Sequence, residues 1–148
     1  MVSKNEHAQR TRCPLACALD IIGDHWTLLI IRDMLFLGKH EYREILESKE
    51  GISSNILSDR LSKLQDNGLV ASIPHPESAK RKLYYLTNKG KDLIHVLAPL
   101  GKWSEKHLPG QVEIYPEIIE LQKKSPADLI TNVFLTLEEW EQRYDIKT

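Results

Sequence analysis

The segment "HWTLLIIRDMLFLG", His25 to Gly38, constrains this 148-residue chain more than any other. It is apolar almost all round, and a helix of that kind is stable only when neighbours cover it on every side. Trp26, Leu29, Ile30 and Leu37 share one face, so at least that face is central. The remainder of the chain must therefore supply several covering elements. At 41% hydrophobic and 28% charged residues it has the material to do so, and its length suits one domain with an appendage.

The covering elements can be read on both sides. "CPLACALDIIG" starts as a short helix, with Pro14 at the first position and Gly23 at the end. "HEYREILESKEG" is a shorter helix with Tyr42, Ile45 and Leu46 inward, and Gly51 ends the turn that follows. "ISSNILSDRLSKLQDNG" is an amphipathic helix. Ser53 or Ser54 can cap it, Ile56, Leu57, Leu61 and Leu64 form its apolar stripe, and Gly68 can stop it. "LVASIPHPESAKRKLYYLT" reads as a hairpin with arms Leu69 to Ile73 and Lys82 to Leu86, the turn formers Pro74, Pro76, Glu77 and Ser78 lying between them. Thr87 then caps a long helix to Leu108 that uses Leu93, Ile94, Leu97, Leu100 and Trp103 and is kinked at Pro99.

Beyond Pro109 the character changes. "PGQVEIYPE" is a connector, and "SPADLITNVFLTLEEWEQRYD" is helical, with Ser125 as cap, Pro126 at the first position and Asp128 in the first turn. Ile130, Val133, Leu137, Trp140 and Tyr144 follow spacings of three and four, a coiled-coil-like seam. Thr136 and Glu139 also fit a capping box, which would split the segment into two helices. Residues 1–110 carry 16 Lys and Arg against 13 Asp and Glu, and residues 111–148 carry 4 against 8, so a net charge of −1 hides a basic body and an acidic tail. The expected division is a winged helix-turn-helix domain over 1–110 and an acidic helical extension over 111–148 that serves dimerisation.

The order of short helix, turn, amphipathic helix and basic hairpin defines a mainly α (α+β) fold, a helix-turn-helix followed by a wing. In such a unit the second helix turns its polar face into the DNA major groove. Ser54, Asn55, Ser58, Asp59 and Ser62 lie opposite the leucine stripe. Asn suits an adenine edge, Ser several bases and Asp the amino group of cytosine. Arg60, to the side, is placed for a phosphate, and Lys80, Arg81 and Lys82 in the wing suit backbone or minor-groove contact.

Other chemistry is sparse. No phosphate-cradling glycine loop, nucleophile elbow or zinc-hydrolase pair is present, so the reading is a binding protein with no cofactor rather than an enzyme. The six histidines do not cluster as metal ligands. The first twelve residues read as a polar arm carrying Lys4, Arg10 and Arg12, without the apolar stretch of a signal peptide. No apolar run approaches the ~20 residues that span a bilayer, so a cytoplasmic location without membrane contact is expected. Cys13 and Cys17 are then reduced at rest. Cys13 is either a small apolar residue at a helix start or, with the helix terminus, Arg10 and Arg12 favouring the thiolate, a redox-sensing residue. Their spacing is marginal for an internal disulfide, which makes an intersubunit bond the better reading, and Cys17 is expected in the core.

Together "CPLACALDIIGDHWTLLIIRDML", "YREI" followed by "GIS", "LSDRLSKLQDNGLV", "YYLTNKG" and "LAPLGKW" resemble the HxlR-type winged helix-turn-helix transcriptional regulators, which are MarR-like. The resemblance runs from Arg12 to Leu108. It implies a homodimer on a palindromic or near-palindromic operator in double-stranded DNA, more often a repressor than an activator. It implies Ser53, Ser54, Asn55, Ser58 and Asp59 as groove-facing positions, Arg60 at the family's usual arginine, Pro74 to Lys82 as the wing, and Cys13 at a cysteine that senses oxidants or electrophiles in some members. An effector, thiol-reactive or small-molecule, would act by changing the spacing of the two reading helices. The chain departs from the pattern at Ser54, Asn55 and Asp59, where Pro, Lys and Gln are commoner, at Asp24-His25 in place of Gly-Lys, at Lys49, and in its acidic tail. Two other classes of function fit the residues: a winged-helix module that binds protein, and a thiol-based redox protein.

Overall fold

The computed structural model describes residues 11–124 and 127–148. Lys4 and Arg10 of the arm, and Ser125 and Pro126, lie outside those residues. The described elements are α1 (Pro14–Ile22), α2 (Thr27–Phe36), α3 (Tyr42–Leu46), α4 (Ser54–Asp66), β1 (Val70–His75), β2 (Ser78–Leu86), α5 (Asn88–Lys91), α6 (Ile94–His107), α7 (Pro116–Lys123) and α8 (Leu129–Arg143). The fold is mainly helical with one two-stranded antiparallel sheet.

Helix α2 is central, as its all-round apolarity requires. Ile30, Ile31, Met34, Leu35 and Phe36 are buried, in one cluster with Ile45 of α3, Leu57, Leu61 and Leu64 of α4, Leu69 and Val70 at the start of the sheet, Leu86 of β2, Ile94 of α6, and Val133 and Leu137 of α8. The tail therefore folds onto the same core as the body. Its seam faces α2 rather than forming a coiled coil, and Trp140 stacks on His40 with ring centroids 3.5 Å apart. Helix α8 is continuous. Asp128 is its cap, accepting from the Thr131 amide at 2.8 Å. Thr136 donates back to the Asn132 carbonyl at 2.9 Å instead of capping a second helix, a common use of a mid-helix threonine.

Three other expectations are corrected. The hairpin arms are longer, because Pro74 pairs with Lys82 within the sheet and only Pro76 and Glu77 form the turn. The helix begun at Thr87 breaks after one turn, and a second helix, α6, starts at Ile94 with Pro99 inside it. Cys17 is exposed, not core, because α1 presents its outer side to solvent along most of its length, with Leu15 68% and Leu19 54% exposed.

The base of the sheet is closed by backbone proximity. Thr87 Oγ1 donates to the Gly68 carbonyl at 2.6 Å and accepts from the Gly90 amide at 3.2 Å. A β-carbon on Gly90 would stand 2.1 Å from the Leu69 carbonyl oxygen, so only glycine fits there. Beside it, Lys91 Nζ is held by Glu141 of α8 at 2.8 Å, both side chains being nearly buried. Among the described residues no single helix is long and apolar enough to cross a membrane.

His40 is 5% exposed, between α2 and α3. Its Nδ1 lies 3.0 Å from the Tyr84 carbonyl, which can only accept, so Nδ1 carries the proton. Burial pushes its pKa down to about 4, Arg143 acting in the same sense against the Tyr84 carbonyl and Glu44. A histidine so depressed binds fewer protons folded than unfolded. Its contribution is complete above pH ~6.5 and is lost as pH falls towards 4, by roughly 3 kcal/mol. Thermal unfolding of the parent chain and of His40→Asn across pH 4–7 should show a flatter profile in the variant. A second expectation concerns the buried ion pair: Glu141→Ala should cost about 3–5 kcal/mol in urea unfolding, and the apolar double replacement Lys91→Met with Glu141→Leu should recover most of it.

Candidate nucleic-acid interface

The region around α4 is built from local signals. Glu41 and Glu44 form a capping box that starts α3, Gly51 takes a φ of 74° in the turn, and Ser53 caps α4 by accepting from the Ile56 amide at 3.3 Å. With Leu57, Leu61 and Leu64 buried, the opposite face must point outward. Ser54, Asn55, Ser58, Asp59 and Ser62 are all exposed on it. Tyr42 of α3 fixes the first turn of that face. Its hydroxyl donates to the Ser54 carbonyl at 2.9 Å and lies 2.9 Å from Ser58 Oγ, which must then donate to it. Among the described residues the side chains of Ser54, Asn55 and Ser62 make no hydrogen bond.

The acid on this face is compensated. Asp59 is held by Lys63 at 3.1 Å, one turn along, and by Arg60. Those cations, the Lys63 hydrogen bond foremost, keep its pKa below the ordinary value. A phosphate approaching α4 therefore meets a neutralised cluster rather than a bare carboxylate. Arg60 is not swung outward. Its Nε donates to Asp24 at 2.9 Å, and Asp24 also accepts from the Trp26 and Thr27 amides at 2.9 and 3.0 Å. Burial opposes ionisation of Asp24, but bonds from Thr27, Arg60 and Trp26 outweigh it and lower its pKa. The pair fastens the exposed helix to the start of α2.

The wing stands beside this face. Gln65 of α4 donates to Ser72 of β1 at 3.2 Å. In the wing, pairing steps from Pro74–Lys82 to His75–Ser78, which leaves Ala79, Lys80 and Arg81 in an irregular stretch. Arg81 turns back onto Glu41, its Nε at 2.8 Å. Lys80 and Lys82 are exposed, without an ion-pair partner among the described residues.

The sequence-predicted residues thus separate into groups. Ser54, Asn55, Ser58, Asp59 and Ser62 share one surface, and Ser53 sits at its rim as the helix cap. Lys80 and Lys82 project from the wing. Arg60 and Arg81 are occupied by carboxylates within the chain. Cys13 is exposed at the start of α1, away from this surface in sequence and element. The residue that sequence reasoning placed in the core and the structure brings to the site is Tyr42. The signal was available, since a half-buried phenol needs a partner for its hydroxyl. Among the described residues no three His, Cys, Asp or Glu are grouped to hold a metal.

Residues 21–112, including α2 through α6, match the HxlR-like helix-turn-helix family. The chain belongs to that family. It is a family of transcriptional regulators, not of enzymes. Relatives include the uncharacterised HTH-type transcriptional regulator Rv3095 of Mycobacterium tuberculosis, 35% identical over 92 residues, which are 62% of this chain and 57% of that protein. The chain therefore spans little more than half of that relative. YodB of Bacillus subtilis, an HTH-type transcriptional regulator, is 33% identical over 65% of this chain and 86% of its own. Among solved structures, PA1607, described as "a Putative Transcription Factor", shares 36% identity with a TM-score of 0.64 over 74% of this chain and 75% of its own. Reduced YodB shares 30% identity with a TM-score of 0.54 over 69% of this chain and all of its own. The redox regulator HypR, in its oxidised form, shares 26% identity with a TM-score of 0.54 over 64% of this chain and 97% of its own.

Tyr42→Phe removes one hydroxyl and leaves the Ser54 carbonyl and Ser58 to water. This HxlR-like protein should lose about 1 kcal/mol in urea unfolding, with an unchanged m-value.

Proposed function

We propose that the chain is a sequence-specific DNA-binding transcriptional regulator that acts as a homodimer, most simply as a repressor that occludes its operator. The observation that carries this reading is the exposed polar face of α4 set beside a wing whose Lys80 and Lys82 have no ion-pair partner among the described residues. Asn55 is the residue best suited to a base edge, and Ser54, Ser58 and Ser62 are adaptable neighbours. Lys80 and Lys82 serve phosphates. Arg60 and Arg81 act indirectly, the first by fixing α4 to α2 and the second by fixing the wing to α3.

Dimerisation is supported by apolar surface that the single chain leaves uncovered. Leu15 and Leu19 on α1, and Val96, Leu100 and Trp103 on α6, are exposed, Trp103 to 57%. Large apolar side chains left exposed on two helices suit an interface with a second chain. A two-fold dimer on a palindromic operator would present its α4 helices about one DNA turn apart, roughly 34 Å. Cys13 belongs to one of these uncovered elements. An oxidant or electrophile reacting there would alter the dimer and hence the helix spacing, so Cys13 is the sensing candidate. The redox description of the HypR neighbour and the reduced, diamide-treated and quinone-bound forms of YodB favour this effector class.

The test is selection of duplexes from a random-sequence pool by the reduced chain, followed by anisotropy titrations over a salt series. An enriched duplex should bind at least ~10³-fold tighter than a scrambled one. Lys80→Ala with Lys82→Ala should weaken binding to both and make the log–log salt slope shallower by about 0.9 for each lysine. Asn55→Ala should cost about 1–3 kcal/mol at one base position and relax selectivity there. Failure of the pool to enrich any sequence would overturn the reading in favour of a protein partner.

A further inference from the structure

We propose that α8, which lies outside the span matched by the family, is a positioning element for DNA reading: Trp140 acts through His40 to hold the wing against the helix-turn-helix. This rests on the DNA-binding reading above. Three separate contacts of the tail end on elements that orient the reading surface, none of them on the surface itself.

The first contact is the closest. Trp140 lies nearly parallel to the His40 ring, at 13° between planes. His40 is bonded twice to β2 of the wing, through Nδ1 to the Tyr84 carbonyl and through its own carbonyl, which accepts from the Tyr84 amide at 2.7 Å. The His40 amide donates to Glu44 at 3.1 Å. Glu44 belongs to the capping box with Glu41, and Glu41 also holds Arg81. His40, through its ring and its backbone, therefore joins the start of α3 to Tyr84 in β2, Glu41 of the same capping box holds Arg81 farther out, and the indole covers the imidazole. The second contact, Glu141 to Lys91, fixes α8 to the turn that leaves β2. The third is Tyr115, just before α7, whose hydroxyl donates to Glu50 at 3.0 Å in the turn between α3 and α4. Arg32 of α2 bonds the same carboxylate at 2.9 Å.

A brace of this kind has a distinct consequence. When it is loosened the wing pivots, and its lysines no longer register with the phosphates beside the groove occupied by α4. The loss should be the wing's own contribution, and no more. A tail that merely stabilised the core would change the folded fraction and leave the affinity of folded molecules untouched.

The variants are Trp140→Leu, which fills space without stacking, and Trp140→Phe, which keeps a ring over His40. The first measurement needs no DNA. Amide hydrogen exchange at Tyr84 should quicken by at least about tenfold in Trp140→Leu, with Leu61 and Leu64 of α4 unchanged, and return towards the parent rate in Trp140→Phe. An equal change at all three amides, or none, would overturn the coupling. The second uses the duplex enriched by the parent chain, at a temperature where each variant is fully folded by circular dichroism. Trp140→Leu should bind about tenfold more weakly with a shallower salt slope, and should add no further loss when combined with Lys80→Ala and Lys82→Ala. Additive losses, or parent-like affinity, would overturn the positioning role while leaving the DNA reading intact. Failure of the parent chain to enrich any duplex would overturn the DNA reading instead, and with it this role, whatever the exchange data show.

Discussion

Everything in this fold follows from the need to cover α2 on all sides. Its seven buried residues include Asp33 as well as aliphatic side chains, so burial has to be accompanied by ionic partners. Arg32 supplies them, bonding Asp33 at 2.7 Å and Glu50 at 2.9 Å. Burial alone would lower the guanidinium's pKa, but Asp33 and Glu50 outweigh it and raise it, so the cation stays charged within the packing. The same side chain lies against the Tyr115 ring at 5.2 Å. The central helix thus recruits both the turn before α4 and the tail, and the reading surface inherits its position from that packing.

A second theme is that charge near the site is mostly spent internally. Asp24 with Arg60, Asp59 with Lys63, and Glu41 with Arg81 are pairs in which a residue of the helix-turn-helix or wing is satisfied within the chain. Exposed pairs of this sort contribute little to stability. Two of them are orientational: Asp24–Arg60 joins α4 to the start of α2 and Glu41–Arg81 joins the wing to α3, whereas Asp59–Lys63 lies within α4 and neutralises its acid. The side chains left over among the described residues, Ser54, Asn55 and Ser62 on α4 and Lys80 and Lys82 on the wing, are those that the proposed function assigns to DNA.

Much of this was legible in the sequence. The all-round apolarity of 25–38, the leucine stripe of α4 and the glycine at 68 place the helix-turn-helix almost by themselves, since helical spacing and a left-handed stop are local signals. The exposed face of α4 follows from the stripe by geometry. What was not legible depends on distant partners. Arg60 and Asp24 are 36 positions apart, and Arg81 and Glu41 are 40 apart, so a charge read as available for phosphate could not be seen to be taken. The direction of the tail seam was hidden for a related reason. Spacings of three and four suit a second helix of any origin, and here the surface they meet is α2 and His40. Cys17 was expected in the core because a small apolar residue in an apolar helix gives the same local signal whether its face is buried or exposed.

The bare face of α4 also bears on how such a chain diversifies. Ser54, Asn55 and Ser62 support nothing beneath them, while the stripe on the other side of the same helix carries the packing. On the proposed reading, specificity and foldability fall on different positions of one thirteen-residue element. If those positions read DNA as proposed, changes at them would redirect recognition without drawing on the chain's stability reserve, whereas Tyr42 and the Asp24–Arg60 pair keep the helix in place while the letters on it are rewritten. A frame of this kind would let targets change in single steps, each leaving a folded protein.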